Sequence, residues 1–521
     1  MVPDTIFSSL NPSLYGWQQS PQDLSLWQRR ALSNECMWFP RPKDLHELFI
    51  CTSIALNSPI PRPTLDPAAA QAWQILRFQV PELALTAHAA CSKDDAGAGD
   101  PAVYMQYQTP QSQVEVDAWI DRTSHFEFGQ GMQAFKDLRA KILLKKYKHD
   151  SDKTFLFLRA QNQNNSNDLV DNVQIMLYAD HQVVDGTGIK ILLGKYLSLL
   201  ASALSKPAEK LQVGIKWHES YKNLSPPWIQ HMNEDQVTSG PEYEELVAHI
   251  RDIILEKLKT NPGLPLSPTT KPATTQETHF ITLSPAQTST ILQAVKRVLG
   301  PSSNITHLCH AAIVLALLRA SPPAVQPSET QTIYSPCWLN GRRYLNPTPS
   351  CPSPTTNYIP ICLSFAPLIF TNIDELVLTS TATKCDTQEK LLKVCRMSTE
   401  QYTNIRERTS MLPECVNLFE DIGRMMLLEN SNMQSRQSMT EPSSQKNHKS
   451  QDSSQTAEPF FLSDGLTEQY ISHAYPSSPS QTRPILTVQT VQFAAHAEQN
   501  LYIPPSPLSP ALLSKISKIS I

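Results

Sequence analysis

A short turn between a predicted strand and a predicted helix constrains the fold of this chain more than any other feature. Residues 171–180 alternate apolar and polar side chains, with Val173 and Ile175 on one face, and this alternation predicts a strand. From Ile189 onward the apolar residues recur at helical spacing. Between them, residues 178–188 read Tyr-Ala-Asp-His-Gln-Val-Val-Asp-Gly-Thr-Gly. The sequence therefore holds a histidine on a tight connection between two elements that bury their apolar faces.

That turn contains His181, Asp185 and Gly186, and Asp185 or Thr187 can cap the following helix. An imidazole has an unperturbed pKa of about 6.5, so His181 suits general-base work. The same pattern also fits a core histidine beside a helix-capping aspartate. Spacing alone favours that second interpretation, because His-x-x-x-Asp-Gly arises by chance in roughly a few per cent of chains of this length. No Gly-x-Ser-x-Gly nucleophile element occurs in the sequence.

Composition narrows the class of protein. A chain of 521 residues can hold two or three domains of ordinary size and bury a large core. A net charge of −4 gives no sign of nucleic-acid binding. The N-terminus lacks the pattern of a signal peptide, and no uninterrupted apolar run reaches about 18 residues, so no membrane span is expected. The ten cysteines lie far apart without zinc spacing, which predicts reduced thiols, no metal site and a cytoplasmic protein.

The chain divides into two halves of mixed strands and helices. We expect an N-terminal lobe over 1–205, a crossover linker over 206–278 and a C-terminal lobe over 279–521. A Ser-, Gln- and Asn-rich stretch at about 429–458 has almost no large apolar side chains, which predicts a disordered insertion. The linker is predicted to contain a charged helix at Glu242–Lys259. The second lobe is predicted to begin with a strand at Phe280–Leu283, followed by a helix that starts at Ser284-Pro285.

Several motifs occur in an order that matches one known family. His181, Asp185 and Gly186 resemble the HxxxDG signature of the acyl-CoA-dependent acyltransferases related to chloramphenicol acetyltransferase, the plant BAHD enzymes and peptide-synthetase condensation domains. Further segments look like the fungal trichothecene 15-O-acetyltransferase-like branch of that superfamily. These are Trp73-Gln-Ile-Leu-Arg-Phe-Gln-Val-Pro-Glu82, Trp217-His-Glu-Ser-Tyr-Lys-Asn-Leu-Ser-Pro-Pro227, Thr306-His-Leu-Cys-His-Ala-Ala312, Asn340-Gly-Arg-Arg343 followed by Asn357-Tyr358, and Leu462-Ser463-Asp464-Gly465.

The resemblance implies an α/β fold of two chloramphenicol-acetyltransferase-like lobes with an active-site tunnel between them. It implies that His181 takes the proton of an acceptor hydroxyl while that oxygen attacks the thioester of acetyl-CoA or another acyl-CoA. It implies an architectural role for Asp185, through an ion pair with Arg342 of the other lobe, and a place for Gly186 where the backbone needs room. Ser463 and Asn357 are candidate contacts to the substrates.

On this resemblance the chain is an O-acyltransferase for a secondary metabolite such as an oxygenated terpenoid. Its partners are then an acyl-CoA co-substrate and a small-molecule alcohol, with no permanently bound cofactor and with a monomer as the usual state. Asp180 stands where condensation domains carry a second histidine, and Asn340 stands where BAHD enzymes carry aspartate. Two alternatives stay open, namely an N-acyl or condensation-type transferase and an inactive CoA-binding scaffold of the same fold.

Overall fold

The computed structural model describes most of the chain between residues 11 and 495. Its helices, labelled α1 to α9 in chain order, are Asn34–Trp38, Arg62–Gln79, Gln113–Thr123, Gly186–Ser205, Pro241–Leu255, Pro285–Leu299, Ile305–Ala320, Pro354–Asn357 and Lys384–Glu407. The described residues are 11–32, 34–39, 47–91, 101–129, 133–135, 137–140, 152–161, 169–205, 215–255, 257, 261, 263–265, 281–323, 331–349, 351–379, 381–410, 412–416, 418–420, 456–457, 461–463, 465–476 and 483–495.

The strands build one large sheet and three smaller ones within those described ranges. The large sheet has six strands in the order β13-β14-β3-β8-β7-β6, and a four-stranded sheet has the order β1-β2-β5-β4. The pairs β10-β11 and β9-β12 complete the set. Strands β1 to β14 are Gln18–Gln19, Leu26–Arg30, Glu47–Pro61, Leu85–Cys91, Pro101–Gln108, Ser124–Gly129, Thr154–Gln161, Leu169–Asp180, Leu264–Pro265, Thr332–Asn340, Leu363–Thr371, Thr456–Ala457, Ala474–Pro476 and Pro484–Ala495.

The six-stranded sheet brings the last described strand, β14, beside strands of the first half. Strand β3 pairs antiparallel with β8 on one side, with Glu47 opposite Asp180. On its other side β3 pairs antiparallel with β14, with Ile50 opposite Phe493. The predicted strand over 171–180 is therefore confirmed as the C-terminal part of β8. The last described strand crosses back into the sheet of the first half, so the two halves are joined by backbone hydrogen bonds.

Helices α2 and α4 pack against this sheet and form the larger apolar core. Leu192, Leu193 and Leu197 of α4 are at most 1% exposed and lie in one cluster with Trp73 of α2. Because α4 is buried along most of its length, it carries apolar residues on nearly every side. It is also the one helix among the described residues that is long and apolar enough to cross a membrane, but most of it is buried inside the protein.

The second half has its own core around β10, β11, α7 and α9. The predicted helix start at Ser284-Pro285 is confirmed, because Ser284 Oγ accepts from Gln287 N at 3.2 Å and Gln287 Oε1 accepts from Ser284 N at 2.8 Å. The predicted strand Phe280–Leu283 is wrong over its described residues, 281–283, which are irregular. Ile281 is 91% exposed, so this apolar run is not buried against a sheet.

The crossover region contains a helix and one short strand. The predicted charged helix is present as α5, Pro241–Leu255. The predicted insertion at about 429–458 lies outside the described residues except for Thr456 and Ala457. Those two residues form β12 and pair antiparallel with Pro265 and Leu264 of β9.

Candidate active site

The turn after β8 is fixed at its first residue by Asp180. This carboxylate is 3% exposed, and its Oδ2 accepts from Lys153 Nζ at 2.7 Å. Its Oδ1 accepts from the backbone N–H of Gln182 at 2.8 Å, while the Asp180 carbonyl accepts from Val183 N at 3.1 Å. His181 therefore lies between Asp180 and Gln182, two residues that are hydrogen-bonded to each other. An aspartate at this position is thus a structural part of the turn.

Asp185 ends the turn and is completely buried. Its Oδ1 accepts from Gly188 N at 2.7 Å, which caps the N-terminus of α4. Its Oδ2 accepts from Cys362 N at 3.0 Å, and Arg342 donates to both oxygens, at 2.8 and 2.9 Å. Cys362 and Arg342 belong to the second half of the chain. One carboxylate therefore caps the helix of the first half and holds the second half against it.

Arg342, also fully buried, has a partner for each of its guanidinium nitrogens. Besides Asp185, it donates through Nε to the Tyr358 carbonyl at 2.6 Å and through Nη2 to the Pro360 carbonyl at 2.9 Å. Burial opposes ionisation of Asp185, but the Arg342 charge and the hydrogen bonds to the carboxylate outweigh it and hold the pKa of Asp185 below its ordinary value. Asn340 completes the group, because its Oδ1 accepts from Arg342 N at 3.1 Å.

The backbones of the two halves come close together at Gly188. A Cβ atom there would lie 2.2 Å from the Ile359 carbonyl oxygen, a distance that no side chain can occupy. Gly186, the glycine that the sequence motif singles out, lies two residues earlier and lines the cavity described next. The motif therefore places one glycine at the cavity and is followed by another at the contact between the halves.

His181 borders a cavity that both halves line. The residue is partly exposed, and its ring stacks on the Trp38 indole with ring centroids 4.6 Å apart and planes 19° apart. The empty space of the cavity, together with its open mouth, is about 690 Å³. Its lining is mostly apolar and aromatic, with a few polar groups among them. The lining residues are Asn34, Met37, Trp38, Leu48, His181, Gly186, Thr187, Trp338, Asn340, Leu363, Leu462, Ser463 and Phe493.

The two candidate contact residues of the C-terminal half are placed differently. Ser463 lines the cavity, and its Oγ lies 2.8 Å from Thr306 Oγ1 of α7. Asn357 is not among the described lining residues, so the structure does not bring it to the cavity. Asn357 ends the short helix α8, where its Nδ2 donates to Thr356 Oγ1 at 3.4 Å. The residues that follow Asn357 supply backbone carbonyls that accept hydrogen bonds from Arg342. This segment therefore supports the ion pair between the two halves, although Asn357 itself does not line the cavity.

Sequence reasoning missed several lining residues, among them the aromatic side chains of Trp38, Trp338 and Phe493. Trp338 precedes Asn340 by two residues on β10, so the two side chains share a face of that strand, and the period of two could have identified it. Trp38 and Phe493 carry no such signal. They reach the cavity from α1 and from β14, which only the tertiary fold brings beside His181.

The His307–His310 segment is a buried hydrogen-bonded cluster. His310 Nδ1 lies 3.0 Å from Tyr402 Oη and His310 Nε2 lies 2.6 Å from Ser335 Oγ. His307 Nδ1 lies 3.0 Å from Thr399 Oγ1. In the part of the chain that the structure describes, no three His, Cys, Asp or Glu side chains are grouped in a way that could hold a metal ion.

The site and fold together define a class of enzyme. A histidine on a rigid turn faces a cavity between two α/β halves, and the aspartate four residues later is ion-paired across them. This arrangement is that of the HxxxD acyltransferases. A family model described as 15-O-acetyltransferase Tri3 matches residues 7–419. The chain belongs to this family, and the resemblance inferred from the turn and its accompanying motifs is confirmed.

Relatives and solved structures agree. The trichothecene 15-O-acetyltransferase TRI3 of Fusarium sporotrichioides is 24% identical over 503 residues, covering 94% of this chain and 88% of the relative. The trichothecene O-acetyltransferase TRI3 of Trichoderma arundinaceum is 24% identical over 393 residues, covering 71% of this chain and 70% of the relative. A solved structure of the Fusarium TRI3 enzyme superimposes with a TM-score of 0.73 at 22% identity, covering 94% of this chain and 90% of that one. The two-lobed α/β fold is confirmed, and the chain is an acyltransferase.

Proposed function

We propose that this chain transfers an acetyl group from acetyl-CoA to a hydroxyl of a trichothecene-like oxygenated terpenoid, with His181 as the general base. The observation that carries the proposal is the position of His181 on a pinned turn at the edge of a cavity that both halves line. The family and the names of the relatives supply the acetyl donor and the class of acceptor.

The reaction needs one proton acceptor and no covalent enzyme intermediate. His181 takes the proton of the acceptor hydroxyl as its oxygen attacks the thioester carbonyl of acetyl-CoA. The tetrahedral oxyanion then collapses, the C–S bond breaks, and the imidazolium returns its proton to the departing sulfur, which leaves as CoA thiol. Joining two substrates in one cavity removes much of the entropic barrier, and a positioned base typically adds about 10²–10⁴-fold to the rate.

Asp185, Gly186 and Arg342 support this chemistry without touching the reacting atoms in our proposal. The carboxylate of Asp185 is fully engaged by Arg342, Cys362 and Gly188, so its role is to hold the turn and the two halves in register. A buried charge pair of this kind keeps its geometry because breaking it leaves an uncompensated charge in the interior.

Polar groups at the cavity are candidates to bind the thioester and stabilise its oxyanion. Ser463 carries a hydroxyl at the lining, and Gly186 and Thr187 are the first residues of α4. The first-turn N–H groups of a helix carry partial positive charge, which favours a developing oxyanion. We therefore retain Ser463 as a contact to acetyl-CoA and drop Asn357, which lies elsewhere.

The lining also fits the proposed acceptor. Met37, Leu48, Trp338, Leu363 and Phe493 give the cavity large apolar surfaces, which suit a compact hydrocarbon skeleton that carries few hydroxyls. Within this proposal acetyl-CoA is a co-substrate rather than a resident cofactor, and the working unit is a cytoplasmic monomer. The lobes at 1–205 and 279–521 and the linker at 206–278 are likewise proposed as its organisation.

Acetyl transfer is tested by following thiol release from acetyl-CoA with purified protein and a trichothecene that bears a free 15-hydroxyl. Other hydroxylated terpenoids are assayed in parallel as acceptors, and the product masses are measured by mass spectrometry. The proposal predicts thiol release with a product heavier by about 42 Da, the increment expected from direct attack by a hydroxyl. It also predicts loss of both signals in a folded His181→Ala protein. Turnover unchanged in that variant, or no acetylated product from any acceptor, would overturn the proposal.

A further inference from the structure

A small buried helix presents an indole to His181. Helix α1 has only five residues, Asn34–Trp38, and all five are buried. Trp38 itself is 2% exposed and stacks on the His181 ring at 4.6 Å, nearly parallel to it. Trp38 also lines the cavity, so the same side chain touches the proposed base and borders the space for substrate.

Ion pairing fixes the position of α1. Glu35 accepts from both terminal nitrogens of Arg29, at 2.6 and 2.8 Å, and also from Leu32 N at 2.8 Å. Both charged side chains are buried, so this bidentate pair is shielded from solvent. The helix is also tied to the turn beside the histidine, because Gln182 Nε2 donates to the Glu35 carbonyl at 3.3 Å. The indole therefore cannot move far relative to His181.

Three carboxylates around the turn are engaged in buried ion pairs. Asp185 pairs with Arg342, Asp180 pairs with Lys153, and Glu35 pairs with Arg29. Lys190 of α4 lies over the Phe493 ring, 5.4 Å from its centroid. The positive charge that His181 acquires in the proposed reaction develops against the face of Trp38. An indole face attracts a cation, and stacked rings also restrict each other's rotation.

We propose that Trp38 is a positioning residue for the base. It holds the plane of the His181 ring and stabilises the imidazolium that forms as the acceptor hydroxyl loses its proton. This inference rests on the proposed function, because it assigns Trp38 a role only through His181. None of the sequence motifs that resemble the family contains Trp38.

Trp73 provides a matched control within the same half. It is 1% exposed, stacks on Trp119 with centroids 5.4 Å apart, and donates through Nε1 to Thr123 Oγ1 at 3.0 Å. Like Trp38 it is a buried, stacked tryptophan, but it is not among the residues that line the cavity. A purely structural role for Trp38 would make the two tryptophans respond alike.

The test compares Trp38→Leu, Trp38→Phe and Trp73→Leu in the assay with acetyl-CoA and a trichothecene bearing a free 15-hydroxyl. Misplacing a reacting group by about 1 Å can cost 100-fold, so we expect Trp38→Leu to lower kcat about 10- to 100-fold. KM for acetyl-CoA should stay within about threefold of wild type, because in this proposal Trp38 acts on the chemical step through His181 rather than on the binding of the donor. Trp38→Phe keeps an aromatic face and should restore kcat to within about fivefold.

Trp73→Leu should lower the unfolding temperature but leave kcat of the folded protein unchanged. If Trp38→Leu does not fold, it is replaced by Trp38→Met, whose unbranched and more flexible side chain adapts better to the space left by the indole. Wild-type kcat in the leucine or methionine variant, or equal losses with leucine and phenylalanine, would overturn the role of Trp38. The proposed function fails separately, by full activity of His181→Ala, so the two failures are distinguishable.

Discussion

Two histidines, His181 and His310, show how differently the two halves of this enzyme use the same side chain. His310 is fully buried, and its two ring nitrogens lie within hydrogen-bond distance of Tyr402 and Ser335. His181 is only partly buried and borders the cavity, with its ring against Trp38. A histidine enclosed by hydroxyl groups stabilises the fold, whereas one at a cavity wall can meet a substrate.

The surroundings of the two rings differ in charge as well. Burial, and secondarily the nearby His307, lower the pKa of His310 to about 4, so its cluster is neutral at ordinary pH. The turn that carries His181 is held by buried ion pairs, through Asp180 and Asp185. Charge pairs of this kind are costly to break and rigid in geometry. The comparison indicates that buried ion pairs hold the turn at the site, whereas hydrogen bonds between neutral groups hold the histidine in the core of the second half.

We expect the largest effect when the ion pair between Asp185 and Arg342, which holds the turn, is broken. Asp185→Asn leaves Arg342 buried without a carboxylate, and breaking such a pair typically costs about 3–5 kcal/mol of unfolding free energy. We expect reduced stability in urea denaturation together with reduced kcat, because the turn also carries His181.

A surface pair serves as the control for that substitution. Asp66 pairs with Arg62 at the start of α2, and both side chains are partly exposed. Asp66→Asn should change the unfolding free energy by less than about 1 kcal/mol and leave kcat unaltered. An Asp185→Asn protein that is as stable and active as wild type would show that the turn does not depend on this pair.

The second effect concerns the neutral cluster and its response to acid. The pKa of His310 is lowered in the folded protein to about 4, whereas an unfolded histidine titrates near 6.5. The stability from this difference is complete above pH 6.5 and is lost as the pH falls towards 4. At 1.36 kcal/mol for each unit, the loss is of the order of 3 kcal/mol.

Acid denaturation of wild type and His310→Gln isolates this contribution, because the other titrating groups are common to both. The unfolding free energy is measured by urea at steps between pH 7 and pH 4. The variant should show a shallower decline over that interval. Parallel curves would mean that His310 does not titrate differently in the folded and unfolded chain.

The smallest effect is expected at Ser463, which links the cavity to the helix that carries His310. A neutral hydrogen bond contributes about 0.5–1.5 kcal/mol, so Ser463→Ala should raise KM for acetyl-CoA by about 2- to 10-fold with little change in kcat. Thr306→Val removes the hydroxyl 2.8 Å from Ser463 Oγ and should have a weaker effect. A fall in kcat without a change in KM would place Ser463 in the chemical step instead.

Sequence patterns predicted the elements that local chemistry determines. Strand β8, the start of α4 at Asp185 and the start of α6 at Ser284 each follow from side-chain periodicity or a capping residue. The short apolar run at 281–283 was wrongly predicted as a strand, because only pairing with a neighbour makes such a run a strand. The side-chain periodicity of one segment does not show whether another strand lies beside it.

The site was predicted less completely than the fold, for a related reason. The pairing of Asp185 with Arg342 joins residues 157 positions apart, and only the family resemblance suggested it. Trp38 and Phe493 reach the cavity through helix α1 and the returning strand β14. Asn357, a candidate contact to the substrates, is not among the described lining residues, and the backbone carbonyl of its neighbour Tyr358 accepts from Arg342. Long-range placement of this kind leaves no local pattern.

The central claim, that His181 and not His310 performs proton transfer, is tested most directly by measuring kcat of His181→Ala and His310→Gln. Both proteins are assayed at a temperature where each is fully folded by circular dichroism. The account predicts a loss of about 10²–10⁴-fold for His181→Ala, the usual contribution of a general base, and a kcat within about threefold of wild type for His310→Gln. A folded His181→Ala protein with wild-type kcat would contradict it.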